Sequence, residues 1–422
     1  MKRNYGIVAL IMLFWFVISF ITNILGPLIP DIISNFDLKQ LSLAGYIPMS
    51  FFLAYAVMSI PAGILIEKYS EKTVLLMGFS MPFVGSLIFA LMPSYPVLLA
   101  SSFIIGLGMA MLQTVINPLT RVAGGEENFA FFSVMGQLVF GFASFVSPFV
   151  YSYLVRELTS TNAHTGIMVR FLSDITPPNL PWVSLYWIFT VILICIILIV
   201  IKVHFPRMKL QEDEKSGSFE SYKILLHNKY VYLFFLGILS YVATEQGIAN
   251  WISKFLEQYH GLNPQTEGAA VVGTFWGLMS LGCLAGLVTL KLFDSKIVLR
   301  YAGLLTIALL CISLFGPAKI SMFCFPLIGF TISVMFSIIM SLGLNSVNKH
   351  HGSFAGILCS GIVGGAIGPV VVGSLADTFG LRIALLSMLI TLGYIVSISF
   401  WARPLVNNRT ISIKELLSRK KA

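Results

Sequence analysis

Twelve stretches, each with the ~20 mostly apolar residues that a membrane crossing needs, recur along the 422-residue chain. They lie near 6–34, 41–66, 73–92, 97–121, 128–155, 183–203, 229–257, 267–290, 297–315, 320–346, 353–376 and 382–402. A lipid interior offers no hydrogen-bond partners to a backbone, so segments of this length must satisfy their own polar groups as helices. Composition agrees: 57% of the residues are hydrophobic and 11% charged, against ~25% charged in a soluble domain. The expected fold class is an all-α integral membrane protein of twelve transmembrane helices in two pseudo-symmetric six-helix bundles.

The bundle boundaries follow from polarity. The most polar break lies after the sixth run, with mixed charge, Ser and Gly (HFPRMKLQEDEKSGSFESYKILLHNK). It divides the chain into an N-terminal bundle (1–203), a linker (204–228) and a C-terminal bundle (229–422) with a basic tail. With the N-terminus inside, about 21 of the 27 Lys and Arg residues fall in loops on the cytoplasmic side, as the positive-inside bias requires. Both termini and the linker are then cytoplasmic. The net charge of +9 is thereby assigned to topology, and no nucleic-acid partner is expected. The opening MKRNYGIVALIMLFWFVISF has a signal-like basic head, but no small-residue cleavage site follows, so it reads as a retained first helix. Residues 156–182 form the longest break on the outer side, with room for a short surface helix before Pro177, Pro178 and Pro181.

Several chemistries lack their residues. The five cysteines (Cys195, Cys283, Cys311, Cys324, Cys359) fall singly within apolar runs, without CxxC spacing, so neither a disulfide framework nor a zinc site is expected. The glycines of GLGMA (106–110) follow no strand and read as helix packing, not nucleotide binding. Neither a nucleophile triad nor a P-loop is present, and no enzymatic activity, cofactor or metal centre is expected.

Polarity inside the membrane is concentrated on four helices. The first, fourth, fifth and seventh carry Asn23, Gln113, Asn117, Gln137, Glu245, Gln246 and Asn250, whereas the sixth could face lipid around most of its circumference. Intramembrane amides and acids usually face a bundle interior or a wet cavity. Glu245 is the sharpest case, an acid in the apolar run 229–257 with no cation in sequence reach. A carboxyl group at that depth could accept hydrogen bonds from a polyol, carry a coupled proton, ligate Na⁺, or simply bond a neighbouring helix. Gln113 and Asn117 are four residues apart and share a helical face, as do Gln246 and Asn250. An amide both donates and accepts, and so can bridge adjacent sugar hydroxyls or tie two helices together. Trp251 and Trp276 could stack on a pyranose ring, and Trp15 reads as packing. Asp31, after Pro30 near the outer end of the first helix, is expected to be solvated. Arg121 is expected to anchor the fourth helix or to pair with Glu126 and Glu127, and Lys349, His350 and His351 form a loop without metal-site character.

A weak internal repeat links the halves, GQLVFGFASFVSP in the fifth helix and SGIVGGAIGP in the eleventh, a parallel six-helix duplication. The runs PAGILIEKYSEK, GLGMAMLQTVINPLTRVAGGEENFAFFSVMGQ, YVATEQGIANW, TFWGLMSLG and HHGSFAGILCSGIVGGAIGP resemble segments of the fucose:proton symporter family of the major facilitator superfamily. That group includes bacterial L-fucose and glucose/galactose permeases. The resemblance implies a sugar site at the midplane that opens alternately to each side, and it favours Trp276 through the FWG segment. It also implies the bacterial inner membrane. The family's proton-coupled fucose member uses a first-helix aspartate and a fourth-helix glutamate; Gly26 and Gln113 stand at those positions. Phe132 and Cys283 replace two arginines, while Glu67 and Ser70 depart from the loop motif between helices two and three. The seventh-helix glutamate of some sugar permeases is matched by Glu245.

The expected function is therefore secondary transport of a small polyhydroxylated solute, a monosaccharide, by rocking two halves about a midplane site. The expected substrate-binding set is Glu245, Gln113, Asn117, Gln246, Asn250, Trp276, Gln137 and Asn23, with ion coupling at Glu245. The coupling ion is H⁺ or Na⁺, with uncoupled facilitated diffusion as the alternative because Gly26 and Gln113 stand where the family has acids; lipid is the surrounding partner, and the protein is expected to act as a monomer. The alternatives are an exporter of amphipathic drugs or metabolites, suggested by the many Phe and Met residues, and a membrane sensor that binds without turnover.

Overall fold

A computed structural model describes residues 5–125, 129–160, 166–205, 223–347 and 351–405, without the side chains at 59, 60, 67, 117, 129, 130, 351 and 352. Glu67, Asn117, Glu126, Glu127, Lys349, His350 and His351 thus lie outside the described side chains. Among the described residues there is no strand. Twelve helical segments among them are long and apolar enough to cross a membrane: Tyr5–Asn35, Leu41–Met58, Glu71–Leu91, Tyr95–Gly124, Phe131–Thr159, Pro181–Lys202, Lys229–Ala249, Pro264–Leu292, Ser295–Phe315, Ala318–Leu344, Ser353–Phe379 and Leu381–Trp401. They are numbered first to twelfth below. A surface helix, Ile167–Ile175, occupies the long break before the sixth.

The first and seventh segments are interrupted, not continuous as the apolar runs suggest. The first consists of Tyr5–Thr22 and Leu25–Asn35. Pro27 explains the break, because a proline ring collides with the carbonyl four residues earlier, here that of Asn23, and has no N–H to give it. The seventh ends at Ala249 and resumes as Ile252–His260. No proline lies there; instead the Asn250 side chain donates to the Gln246 carbonyl at 2.9 Å, and such local side-chain bonds compete with the helical ladder.

Apolar packing forms two clusters. One draws almost wholly on residues between Ile7 and Val200, the other almost wholly on residues between Leu225 and Ala402. Between them the second helix lies along the eleventh and the fifth along the eighth. Glycine makes both approaches possible. A Cβ on Gly45 would come within 2.8 Å of the Pro369 carbonyl oxygen, and one on Gly141 would overlap Ser280. The sixth helix turns one face inward, with Leu185, Tyr186, Phe189, Leu193, Ile196 and Val200 buried, and leaves Val191, Leu198 and Ile201 exposed.

Asp31 corrects an expectation. It is only 8% exposed, where solvation was expected. Its carboxylate accepts from the Tyr151 hydroxyl at 2.6 Å and from the Gln265 amide at 2.9 Å. The second bond reaches the eighth helix, so the packed ends of the halves cover a residue that would otherwise face water.

Candidate functional site

A cavity of about 520 Å³ lies between the two apolar clusters, within the ~300–1,000 Å³ usual for small-molecule pockets. Asn23, Gln113, Gln137 and Ser144 line it from the N-terminal half, together with Phe52 and Tyr55. Tyr241, Glu245, Gln246, Trp276, Ser280, Cys283 and Ser337 line it from the other. It extends from the helix breaks toward Ser133 and Leu290, at the end of the bundle where Tyr5 and Trp401 lie. At the far end, which holds the 36–40 and 261–263 connections, Asp31, Gly45 and Gly373 meet the opposite half. Contacts between the halves thus close the far end, and the cavity runs toward the Tyr5 end.

Glu245 is the sole acid among the described lining residues, and no Lys, Arg or His is among them. Its carboxylate accepts from the Gln246 amide at 3.3 Å and stands near the Tyr241 hydroxyl. Tyr241 stands four residues before Glu245 and so shares its helical face. Its partners are neutral, which leaves the carboxylate uncompensated by charge in this arrangement.

The opposite wall is held by serines. The Asn23 amide donates to Ser144 Oγ at 2.8 Å, Ser19 and Ser144 exchange a short hydroxyl bond, and Ser147 donates to the Phe20 carbonyl at 2.8 Å. These bonds fix the broken first helix against the fifth. They commit one N–H of the Asn23 amide and leave its second N–H and its carbonyl oxygen for a ligand. Trp276, 5% exposed, meets Phe275 edge to face and presents an aromatic surface to the cavity.

Of the residues singled out in the sequence, Asn23, Gln113, Gln137, Glu245, Gln246 and Trp276 converge on this one space. Asn250 does not reach it. It is 3% exposed, packs in a crevice of about 10 Å³ beside the cavity and donates to Gln246 Oε1 at 3.1 Å. Trp251 is fully buried with its indole N–H on the Pro369 carbonyl at 3.2 Å, which excludes ring stacking. Tyr241, Tyr55, Ser144 and Ser280 were missed. Tyr241, Ser144 and Ser280 share helical faces with Glu245, Gln137 and Trp276, whereas Tyr55 carries no such signal.

Gly26, the position matched to the fucose-permease aspartate, has no room for a side chain. A Cβ there would come within 2.7 Å of the Ala249 carbonyl oxygen. The broken first and seventh helices touch at this point, and Asn23, one turn earlier, takes the place in the cavity wall.

Comparison with known proteins places this geometry in a family. The family model described as Major Facilitator Superfamily matches residues 11–362. A glucose/galactose transporter of Brucella abortus is 30% identical over 401 residues, covering 93% of each chain. The L-fucose-proton symporter of Escherichia coli is 25% identical over 403 residues, covering 90% of this chain and 89% of the relative. A crystal structure of the E. coli fucose:proton symporter aligns with a TM-score of 0.65 at 21% identity, over 95% of this chain and 100% of the other. With twelve membrane-length helical segments among the described residues, a cavity lined by both halves and a family match over most of its length, the chain belongs to the major facilitator superfamily, a family of membrane transporters.

Proposed function

We propose that this protein is a secondary transporter that takes up a monosaccharide across the bacterial inner membrane. The observation that carries the reading is the cavity itself, where amides, hydroxyls and one carboxylate from both halves face each other beside Trp276. Paired donor and acceptor groups suit adjacent sugar hydroxyls, and an indole face suits the apolar side of a pyranose. The absence of Lys, Arg and His among the described lining residues disfavours an anionic substrate, whose charge none of them would balance. The glucose/galactose and fucose transporters among the relatives support the same substrate class.

Asn23, Gln113, Gln137, Glu245, Gln246 and Trp276 bind the sugar in this reading, and Asn250 positions Gln246. Asn117 remains a proposed member of the set by its place one turn beyond Gln113. Glu245 is the coupling site, exchanging H⁺ or Na⁺ as its carboxylate alternates between ionic and hydrogen-bonded states. The halves 1–203 and 229–422 move about the linker 204–228; their separate apolar clusters support this division. The Tyr5 end is cytoplasmic by the distribution of basic residues, so the state described is open to the cytoplasm. The protein acts as a monomer surrounded by lipid.

The test is uptake of labelled glucose, galactose and fucose by proteoliposomes under an imposed pH or Na⁺ gradient. Accumulation of one of them above the external concentration is expected. Equilibration without accumulation under either gradient removes symport, and absence of any sugar flux removes the substrate assignment.

A further inference from the structure

Two carboxylates at the far end reach across the interface in opposite directions. Asp31, on the first helix, accepts the Gln265 amide of the C-terminal half at 2.9 Å. Asp377, near the end of the eleventh helix, accepts the backbone N–H groups of Leu41 and Ser42 at 2.6 and 3.2 Å. Those two residues begin the second helix, whose own N-cap residue, Gln40, makes no side-chain cap bond. Unpaired N–H groups at a helix start need a partner, and a carboxylate there also meets the positive end of the helix dipole. The second helix therefore has its cap supplied by the opposite half. One turn before Asp377, a Cβ on Gly373 would come within 2.9 Å of the Leu41 carbonyl oxygen, so the absence of a side chain there lets the cap reach its target.

We propose that Asp31 and Asp377 form a reciprocal latch that holds the far end shut and sets the balance between the two states of the transporter. The latch rests on the alternating-access reading but not on the identity of the substrate. Each carboxylate holds only the closed form, because its partner belongs to the other half and leaves when the halves separate. Tyr151 lies on the same half as Asp31 and stays with it. Its bond at 2.6 Å aims the carboxylate in both states and adds nothing to the difference between them. Asp31 is the stronger element: its site is buried, whereas the Asp377 bonds lie at an exposed rim where water competes.

Pulsed electron-spin distance measurement on the full-length protein, without sugar, tests the latch. Spin labels at Met92→Cys and Lys319→Cys, in a background with the five native cysteines replaced, span the far end from one half to the other. Asp31→Asn and Asp377→Asn should each raise the ratio of long to short distances, by about tenfold for Asp31 on the scale of a lost charge-assisted bond. Leu41→Pro supplies a check that leaves both aspartates in place. It removes the N–H bonded at 2.6 Å at a first-helical position that accepts proline, after Gln40 in the extended conformation a pre-proline residue prefers. It should move the ratio in the same direction as Asp377→Asn. Tyr151→Phe should move it less than Asp31→Asn. Unchanged distances in Asp31→Asn and Leu41→Pro would overturn the latch, whatever the result of the sugar-uptake assay.

Discussion

The Gln246 side-chain amide donates to Glu245 at 3.3 Å while its carbonyl oxygen accepts from Asn250 at 3.1 Å, so the only cavity acid described is held by a relay of two neutral amides. A sugar hydroxyl or a coupling ion approaching Glu245 competes with neutral donors, not with a fixed cation. Replacing the acid by its isosteric amide separates binding from coupling. Glu245→Gln is predicted to abolish gradient-driven accumulation while labelled-sugar counterflow persists. Accumulation equal to wild type under either gradient would remove Glu245 from the coupling role.

Asn250 touches no part of the main cavity, yet it orients a residue that does. Asn250→Ala is predicted to weaken sugar binding by about two- to tenfold, on the scale of one net hydrogen bond. Gln246→Ala should do so by more. Isothermal calorimetry on purified protein reads both, and additive losses in the double variant would show that the two residues act separately.

The fucose-permease aspartate cannot be restored at Gly26. The Ala249 carbonyl leaves no space for even a methyl group, so Gly26→Asp is predicted to hold the far end open and to give no proton-driven uptake. Far-end thiol accessibility at Met92→Cys and Lys319→Cys measures this directly; an unchanged, closed far end would contradict the steric argument.

Gly141 meets Ser280 where the fifth and eighth helices cross. Gly141→Val is predicted to prevent that crossing from closing, with uptake falling to background while far-end accessibility rises. Partial relief by Ser280→Gly is expected, because it returns the volume on the other side. No relief would indicate damage to the N-terminal half alone.

His260, at the far end beyond the seventh membrane segment, packs on Phe255 and bonds Ser321 Oγ at 3.1 Å. Partial burial, and then the Arg382 charge, push its pKa below the ordinary 6.5. The folded state then binds fewer protons than the unfolded one between the lowered value and 6.5, so stability is present above 6.5 and falls as pH drops through that window. Thermal unfolding followed from pH 7.5 to 5 should show this decline, and His260→Gln should flatten it.

How much of this was legible in the sequence differs by level. All twelve membrane segments were marked by apolar runs, because a lipid solvent imposes the same requirement at every depth. The breaks at Asn23 and Asn250 were not: each lies inside an unbroken apolar run, and Pro27 signals only the first. Five polar residues, Asn23, Gln113, Gln137, Glu245 and Gln246, meet at one cavity, since intramembrane polarity has few other places to go. That Asn250 and Trp251 stay outside the cavity lining was not legible, because helical spacing fixes the face a side chain shares, not the neighbour that face meets. Asp31 was misjudged for a related reason, since its cover comes from Gln265, which is distant in sequence.

The borrowed cap on the second helix bears on how a carrier stays reversible. When the far end opens, Leu41 and Ser42 trade a carboxylate for water, and Asp31 and Gln265 trade each other for water. Exchanges of this kind conserve the number of hydrogen bonds and change free energy by only about 1.5–3 kcal/mol each. The two states then remain within the few kcal/mol across which a ligand of modest affinity can shift a population. A dry apolar seal of equal area would have been harder to break, and a turnover cycle would have stalled on the side it closed.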